Sequence, residues 1–326
     1  MFANMISRVS IENYKSIETA SFKTRRVNVF IGEPNSGKSN LLEAVGLLSR
    51  EVSIRLREVC RISQTAEIFF DRNVEHDVRV VTFPDRELKI KRENGQFACS
   101  VTQPGGGTIG HFVFDENGGS GGGSGWAPDI RYYRYRAMNR AEYDRSPSGH
   151  LLPPYGSNLP NLLYTNKAVR DSISAFFKSK GFRLELRPQD NEILMSKEVD
   201  DILYSFPFES ISETMKRIVF YKAALESNKD AVLVFDEPES NTFPFYTKYL
   251  AERIALDTTN QFFLTTHNPY VLMSIIEKTP EAELAVFVTR MKNYRTELHQ
   301  MTPEELAEAL ELSMDLFLNL DRYFPE

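Results

Sequence analysis

Apolar and polar residues alternate with a period of two from Ala66 to Phe114, and Asn94-Gly95 and Pro104–Gly107 interrupt this alternation. A period of two is typical of strands with one buried face, and Asn-Gly is a common hairpin turn. The pattern therefore predicts an antiparallel meander with strands at Val78–Phe83, Glu87–Lys91, Phe97–Val101 and His111–Phe114.

Continuous apolar runs elsewhere predict strands that are buried on both faces. Residues 5–31 predict two strands that lead into the segment starting at Gly32. One of these two strands is Arg26–Ile31, and further buried strands are predicted at Ala231–Phe235, Gln261–Thr266 and Glu283–Thr289. Apolar residues at helical spacing predict helices at Ser39 to about Ile62, Ala168–Lys180, 208–228, Phe245–Leu256 and from Thr302 onward. Strands interspersed with helices predict an α/β fold.

The segment Gly32-Glu33-Pro34-Asn35-Ser36-Gly37-Lys38-Ser39 lies between a predicted strand and a predicted helix, and it fits G-x-x-x-x-G-K-[ST] at every fixed position. In this motif, backbone N–H groups and a helix N-terminus face bound phosphates, and glycine is needed because a Cβ would block their approach. We expect Lys38 to reach the β- and γ-phosphates and the Ser39 hydroxyl to ligate Mg²⁺. The alternative is a chance glycine turn before a helix, which the complete match argues against.

Two carboxylates, Asp236 and Glu237, end the buried run Ala231–Phe235. Carboxylates at such a place are costly unless a cation or a reaction uses them. We expect Asp236 to hold Mg²⁺ through water and Glu237 to orient or deprotonate the attacking water; the alternative is a strand end with two solvated acids. His267 ends the next strand, where it would donate to the γ-phosphate and sense its loss, although a lone histidine is more often structural. With the phosphate loop, this set predicts ATP binding and hydrolysis.

The amino-acid composition restricts the class of protein and the cellular compartment in which this chemistry is expected. Of the 326 residues, 41 % are hydrophobic and 26 % are charged, which is ordinary for a soluble globular protein. No apolar run approaches the roughly 18 residues of a membrane span, and the N-terminus lacks a secretory pattern. Cys60 and Cys99 are too few for a disulfide framework. We therefore expect a cytoplasmic protein with no membrane partner.

The formal net charge of −6 argues against strong nonspecific binding to nucleic acid. Arg131–Arg136, with Arg140 after it, interleaves arginines and aromatics, and it is either an edge strand with extended arginine side chains or a local basic surface. Arg57 and Arg61 are expected on a solvated face of the helix after the phosphate loop. Gly118–Gly125 contains only glycine and serine, which predicts a flexible linker. Its regularity favours an engineered replacement of an insertion or coiled-coil arm over a natural low-complexity loop.

Several segments resemble the ABC-type ATPase heads of the SMC/RecF-like group, which includes small AAA-family ATPases and the ATPase half of the overcoming-lysogenization-defect nucleases. The similar segments span most of the chain, and the phosphate loop and the histidine segment are specific in combination. They are the opening strand and turn Ile11–Ile17, the phosphate loop Gly32–Asn40 with Leu41–Ala44, the loop-to-helix stretch Leu159–Leu163, the second acidic motif and D-loop Phe235–Asn241, and the switch-histidine segment Thr265–Pro269.

This resemblance implies a P-loop NTPase fold of the ABC-type head class, with a mixed central sheet, an antiparallel β arm and a helical signature lobe. It implies one head over residues 1–326. The expected parts are 1–117, the phosphate-loop lobe with the β arm; 118–125, the Gly/Ser linker; 126–207, a connecting and helical segment; and 208–326, the lobe with the signature, the second acidic motif and the switch histidine.

The resemblance also assigns roles to individual residues. The catalytic residues would be Lys38, Glu237 and His267, and the metal ligands Ser39 and Asp236. The nucleotide-binding residues would be Lys15, Ser16, Gly32, Asn35, Ser36, Gly37, Lys38, Ser39, Asn40 and Ser212. Some heads of this group also place an arginine near the positions of Arg57 and Arg61 to touch nucleotide, which is the alternative to a solvated helix face for these two residues.

One motif departs from the family pattern. These families carry a serine-glycine signature that contacts the γ-phosphate held by a dimer partner. Ser212 stands at the serine position, but Thr214 stands where glycine is expected, which hinders a close backbone approach. Ser212 is alternatively an ordinary helix N-cap. For the Q-loop glutamine of these families, Gln64, Gln96 and Gln103 are candidates without a clear choice.

These features favour an ATPase with ATP and Mg²⁺ as cofactors, which forms a homodimer or higher homo-oligomer around ATP. Similar ATPases imply a role in DNA repair or antiphage defence with DNA or with a separate effector protein. The sequence contains no visible nuclease motif, so an effector would have to be another chain. The alternative is an ATP-bound scaffold or sensor with little hydrolysis, which Thr214 and the acidic balance favour. The opening segment, the β arm and the unusual signature argue against a transporter's nucleotide-binding subunit.

Overall fold

The computed structural model describes residues 5–49, 55–84, 86–103, 106–124 and 129–324, which form two compact units. The first unit contains the described residues of Met1–Tyr132, Asp230–Glu237 and Ala251–Glu326, and the second contains those of Tyr133–Lys229 and Pro238–Leu250. The second acidic motif thus belongs to the first unit and the signature segment to the second, although both fall within residues 208–326.

The described residues form sixteen β-strands and eight α-helices. The strands are β1 Arg8–Tyr14, β2 Ile17–Lys23, β3 Val27–Gly32, β4 Val78–Phe83, β5 Arg86–Glu93, β6 Gln96–Thr102, β7 Thr108–Phe114, β8 Ser120–Ser124, β9 Ile130–Tyr133, β10 Arg183–Arg187, β11 Glu192–Val199, β12 Ile202–Pro207, β13 Val232–Phe235, β14 Gln261–Thr265, β15 Leu284–Lys292 and β16 Arg295–Gln300. The helices are α1 Lys38–Gly46, α2 Leu56–Val59, α3 Leu159–Thr165, α4 Lys167–Lys178, α5 Glu213–Ser227, α6 Pro244–Leu256, α7 Pro269–Lys278 and α8 Pro303–Leu312.

A six-stranded mixed sheet with the order β16-β15-β3-β14-β13-β9 lies at the centre of the first unit. Strands β15, β3, β14 and β13 are parallel, and β16 runs antiparallel to β15. Every residue of β3, β13 and β14 is buried, which confirms the prediction made from their continuous apolar runs. Helix α1 packs against β1, β3, β13 and β14. The sheet therefore brings the ends of three buried strands close to the start of α1.

The predicted meander is confirmed as part of a seven-stranded antiparallel sheet with the order β2-β1-β4-β5-β6-β7-β8. Residues 5–31 form three strands rather than two, because the turn at Lys15 and Ser16 separates β1 from β2 before β3 begins. The Gly/Ser segment differs from the expected free linker. The backbone of Ser120–Ser124 pairs with β7, and Gly118 and Gly119 form a turn with Asp115.

The predicted helix from Ser39 to about Ile62 is wrong in its length. Helix α1 ends at Gly46, where a Cβ would lie only 2.8 Å from the ring of Tyr132. A 3₁₀ turn and the four-residue helix α2 follow within the described residues. Arg61 lies beyond α2, where its backbone N–H donates to the Glu43 carboxylate (3.2 Å), and so it is not on a helix face. This long-range contact holds the segment close to α1.

In the second unit, α4 packs against α3, α5 and β10. Its buried residues Val169, Ile173 and Phe177 are spaced by four, which confirms the predicted amphipathic helix. Strands β10, β11 and β12 form an antiparallel sheet. Within this unit, the Phe176 and Tyr246 rings meet edge to face, with 5.9 Å between their centroids.

The predicted start of α8 is confirmed in the first unit. The Thr302 hydroxyl accepts from the Glu305 N–H (3.2 Å), and the Glu305 carboxylate accepts from the Thr302 N–H (2.7 Å), so two donors at the helix start are satisfied reciprocally. Across the described residues, none of the helices combines the length and the apolar character needed to cross a bilayer.

Candidate nucleotide-binding site

The predicted phosphate loop connects the end of β3 to the start of α1. Asn35 (φ 62°) and Gly37 (φ 95°) take left-handed backbone conformations within it. A Cβ on Gly37 would lie 1.9 Å from the Thr296 hydroxyl oxygen, so only glycine fits between the loop and β16. The loop therefore has the tight backbone that its sequence motif predicts, and it leads directly into a helix N-terminus, which attracts anions.

The side chain of Lys38 folds back over this loop. Its Nζ donates to the carbonyl oxygens of Gly32 (2.9 Å) and Glu33 (2.7 Å) and to the Ser36 hydroxyl (3.3 Å). Lys38 is only 4 % exposed, and this burial lowers its pKa to about 8, although the carboxylates of Glu237, Asp236 and Glu33 act in the opposite direction. The ammonium group is thus held inside the loop, close to where a phosphate would lie.

A polar cluster surrounds the carboxylate of Asp236, whose side chain is only 5 % exposed. Asp236 Oδ1 accepts from the hydroxyls of Ser39 (3.0 Å) and Thr265 (2.7 Å). The Arg61 guanidinium donates to Asp236 Oδ2 and to the Ser39 hydroxyl (2.8 Å for the latter). The two predicted metal ligands are therefore in contact, and a cationic group touches both of them.

Two of these neighbours were not predicted as site residues. Burial acts against the charge of Arg61, but the carboxylates of Asp236 and Glu43 raise its pKa, so the guanidinium stays charged. Thr265 is the last residue of β14, and its hydroxyl connects the two acidic residues by donating to Asp236 and accepting from the Glu237 N–H (2.9 Å). The polar residues Thr265 and Thr266 at the end of an apolar run were the only sequence signal for this role.

Glu237 and His267 follow the ends of the neighbouring parallel strands β13 and β14, which pair Phe235 with Leu264. Glu237 Oε1 and His267 Nε2 are 3.1 Å apart, and both side chains are more than one third exposed. Glu237 takes a left-handed conformation (φ 46°), which is uncommon for a residue with a side chain. The strand pairing thus places a carboxylate and an imidazole together at the edge of the sheet.

Lys15 and Ser16 form the turn between β1 and β2, and both reach the phosphate-loop helix. The Ser16 hydroxyl accepts from the Asn40 amide (2.7 Å) and contacts the Thr296 hydroxyl (2.7 Å). The Lys15 ammonium is paired with the carboxylate of Glu43, which is buried in α1. The opening segment is therefore attached to the phosphate loop, as the resemblance implied.

An open cleft of about 720 Å³ unites most of the predicted residues, and this volume suits a nucleotide-sized ligand. The predicted residues that line it are Lys15, Ser16, Asn35, Ser36, Gly37, Lys38, Ser39, Asn40, Glu237 and His267. Gly32 and Asp236 contact this lining through Lys38 and Ser39. Further lining residues that sequence analysis did not assign include Glu43, Arg61, Asp71, Arg72 and Met291.

The remaining candidates are not among the residues that line this cleft, and the contact expected between Ser212 and a nucleotide held by a dimer partner stays a prediction. Ser212 lies in the second unit, where its hydroxyl accepts from the Met215 N–H (3.3 Å) as the N-cap of α5. In the same unit, the Thr214 hydroxyl donates to the Asn241 carbonyl (3.1 Å). The Q-loop candidates Gln64, Gln96 and Gln103 are not among the residues that line the cleft.

Two family models match separate parts of the chain. Residues 5–99 match the family described as "AAA ATPase domain", and residues 139–274 match the family described as "AAA domain, putative AbiEii toxin, Type IV TA system". A search of curated proteins found no match.

Among solved structures, the chain is similar to an Smc head bound to the C-winged helix domain of ScpA, with 15 % identity and a TM-score of 0.58 over 94 % of this chain and 100 % of that chain. It is also similar to an Smc head domain with an extended coiled coil bound to the C-terminal domain of ScpA derived from Pyrococcus furiosus. That similarity has 12 % identity and a TM-score of 0.55, over 94 % of this chain and 98 % of the other.

The mixed sheet, the phosphate loop and the acidic strand end define a P-loop NTPase fold. Within that class, residues 5–99 and 139–274 match AAA-family models, and the chain shares its fold with the Smc heads.

Proposed function

We propose that this head hydrolyses ATP with Mg²⁺ and uses the reaction as a conformational switch. The observation that carries the proposal is the pair formed by Glu237 and His267, 3.1 Å apart in a cleft that the phosphate loop also lines. A carboxylate next to an imidazole, beside a loop built for phosphates, suits an attack by water on a bound phosphate.

The residues present fit both ATP and Mg²⁺. The loop backbone at Gly37 leaves no room for a Cβ, and the ammonium of Lys38 lies within the loop. The Ser39 hydroxyl and the buried Asp236 carboxylate are oxygen ligands of the kind that Mg²⁺ prefers, and the Arg61 guanidinium already contacts both of them as a cation would. Ser39 and Asp236 would hold the metal, which when bound would offset the negative charge of the phosphates.

Glu237 would orient a water molecule and accept its proton during the attack. His267 fixes the carboxylate through the 3.1 Å contact between Nε2 and Oε1, and Thr265 fixes the backbone of Glu237 by accepting from its N–H. Because Thr265 also donates to Asp236, a single hydroxyl sets the spacing between the proposed base and the proposed metal ligand. Lys38 and the N-terminus of α1 would stabilise negative charge on the phosphates.

The test is the substitution Glu237→Gln, which keeps the size of the side chain and removes the base. Phosphate release should fall about 100-fold or more, whereas the affinity for ATP should change little, because the phosphate loop is intact. Glu18→Gln is the matched control, since Glu18 makes the same charge change on β2, outside the cleft, where it is paired with Arg295. Turnover that is equal in wild type and Glu237→Gln would contradict the proposed role.

The switch would operate in a homodimer or higher homo-oligomer that closes around ATP, in the cytoplasm. It would act in DNA repair or antiphage defence, with DNA or with a separate effector protein. Two observations support a protein partner: the similar Smc heads are bound to domains of ScpA, and one matching family description names a toxin-antitoxin system. Light scattering of Glu237→Gln should detect an oligomer with Mg²⁺ and ATP that is absent with ADP. An unchanged mass with ATP would argue against the switch.

A second candidate function is an ATP-bound scaffold or sensor with little hydrolysis. The hydrogen bond from Thr214 to the Asn241 carbonyl favours it, because a side chain occupies the position where a signature glycine would leave the backbone open. In that case ATP would raise the melting temperature of the protein, and any slow turnover would not depend on Glu237.

A further inference from the structure

Arg61 touches both side chains that the proposed function assigns to the metal. Its Nη2 donates to the Ser39 hydroxyl at 2.8 Å and to Asp236 Oδ2. A metal ion bound between the same two oxygen ligands would have to approach the oxygens that the guanidinium now contacts. Two cations cannot share such a position without strong repulsion.

The carboxylate of Asp236 explains why a cation is needed there. It is only 5 % exposed, and the hydroxyls of Ser39 and Thr265 donate to it. Neutral hydrogen bonds alone leave a buried carboxylate with its full charge, which is costly unless a positive group is close. Arg61 supplies that charge and keeps the two ligands in contact with each other.

The backbone of Arg61 is fixed, whereas the end of its side chain can move. Its N–H donates to the Glu43 carboxylate (3.2 Å), and its carbonyl accepts from the Lys15 ammonium (3.2 Å). The side chain is 48 % exposed, so the guanidinium can turn toward the open cleft, and besides its contacts with Ser39 and Asp236 this movement breaks only the 3.4 Å pairing of its Nε with Glu43 Oε1 among the described ion pairs. Both anchors remain in place during this movement, because neither of them involves Ser39 or Asp236.

We propose that Arg61 and Mg²⁺ exchange at Ser39 and Asp236. The guanidinium holds the two ligands in position while no metal is present, and it leaves when the metal binds. This inference rests on the proposed function, which assigns Ser39 and Asp236 as the metal ligands. It implies that Arg61 competes with the divalent ion, so the wild-type site binds metal more weakly than its ligands alone would allow.

The experiment measures Mn²⁺ binding to the nucleotide-free protein by electron paramagnetic resonance, with Mn²⁺ as the probe for Mg²⁺. Arg61→Ala and Arg61→Gln should each bind Mn²⁺ about tenfold more tightly than wild type, because the competing charge is gone. Arg57→Ala is the matched control, since Arg57 lies on α2 and donates to the Ser63 carbonyl instead. Adding Asp236→Asn to Arg61→Ala should abolish the gain and so locate the metal at Asp236.

Circular dichroism confirms that each variant is folded, and Arg61→Gln serves if Arg61→Ala does not fold. Equal or weaker Mn²⁺ binding by the folded Arg61 variant would overturn the exchange. A separate titration of wild type with a fluorescent ATP analogue tests the proposed function. If the analogue does not bind, the ATPase proposal fails, whereas the Mn²⁺ comparison still decides whether Arg61 and the metal compete.

Discussion

Raising the pH from 7 to 9 should weaken ATP binding about tenfold through Lys38. Burial lowers the pKa of this ammonium to about 8. About nine tenths of the lysine is charged at pH 7 and about one tenth at pH 9, and only the charged form attracts phosphate. Bound phosphates raise the pKa again, and they remain ionised over this range because their own pKa lies near 6. The apparent Kd should therefore rise as the pH passes through about 8.

The assay is a titration with a fluorescent ATP analogue in EDTA, so that no metal perturbs the same cluster. The free energy of unfolding, measured without nucleotide, gives an independent check, because the same pKa shift affects it with the opposite sign. The cost of burying the charge is present below pH 8 and is relieved as the pH rises toward the usual value of Lys38, 10.5. Wild type should therefore gain stability relative to Lys38→Met over the range in which it loses affinity. A Kd that is constant from pH 7 to 9 would refute the reasoning.

Three further substitutions test contacts in the first unit, two of them away from the cleft and one in the phosphate loop. Arg26→Ala should lower the free energy of unfolding, measured by urea denaturation, by about 3 kcal/mol, because the buried guanidinium donates to backbone carbonyls at the end of α6. Arg25→Ala is the control and should change this free energy little, because the Arg25 side chain is exposed. Thr302→Ala should cost about 1 kcal/mol in the same assay through loss of the N-cap of α8. Gly37→Ala should abolish binding of the ATP analogue, because its Cβ would collide with Thr296; retained affinity would contradict this geometry.

The local motifs could be predicted from the sequence because each of them is short and chemically specific. The phosphate loop is a continuous segment, and Asp236 and Glu237 directly follow an apolar run, so their positions require no long-range information. The parallel pairing of β13 with β14 then places Glu237 next to His267, as strand ends in a parallel sheet require. The positions of β13 and β14, and of the polar residues that follow them, could therefore be predicted from their continuous apolar runs.

The contacts of Arg61 with Ser39 and Asp236 could not be predicted, because they depend on residues far away in the chain. Helical spacing continues through Leu56 and Val59, and although a glycine such as Gly46 often ends a helix, the local sequence does not show that the Tyr132 ring packs there. The contacts of Arg61 with Glu43 and with Asp236 are formed only once the chain has folded. The Gly/Ser segment was predicted to be a flexible linker, but Ser120–Ser124 pairs with β7. Composition alone carries no information about which strand edge a backbone segment will pair with.

The central position of β3 has a consequence for biosynthesis. Val27 of β3 pairs with Phe262 on one side and with Leu284 on the other, so both neighbours of this strand leave the ribosome long after it does. Pairings of such large sequence separation form late in folding. A nascent chain that has emerged only as far as α5 holds the phosphate-loop sequence without either flanking strand. ATP therefore cannot assist the early steps of folding, and the capacity to hold the nucleotide marks a chain whose last third has been translated and assembled.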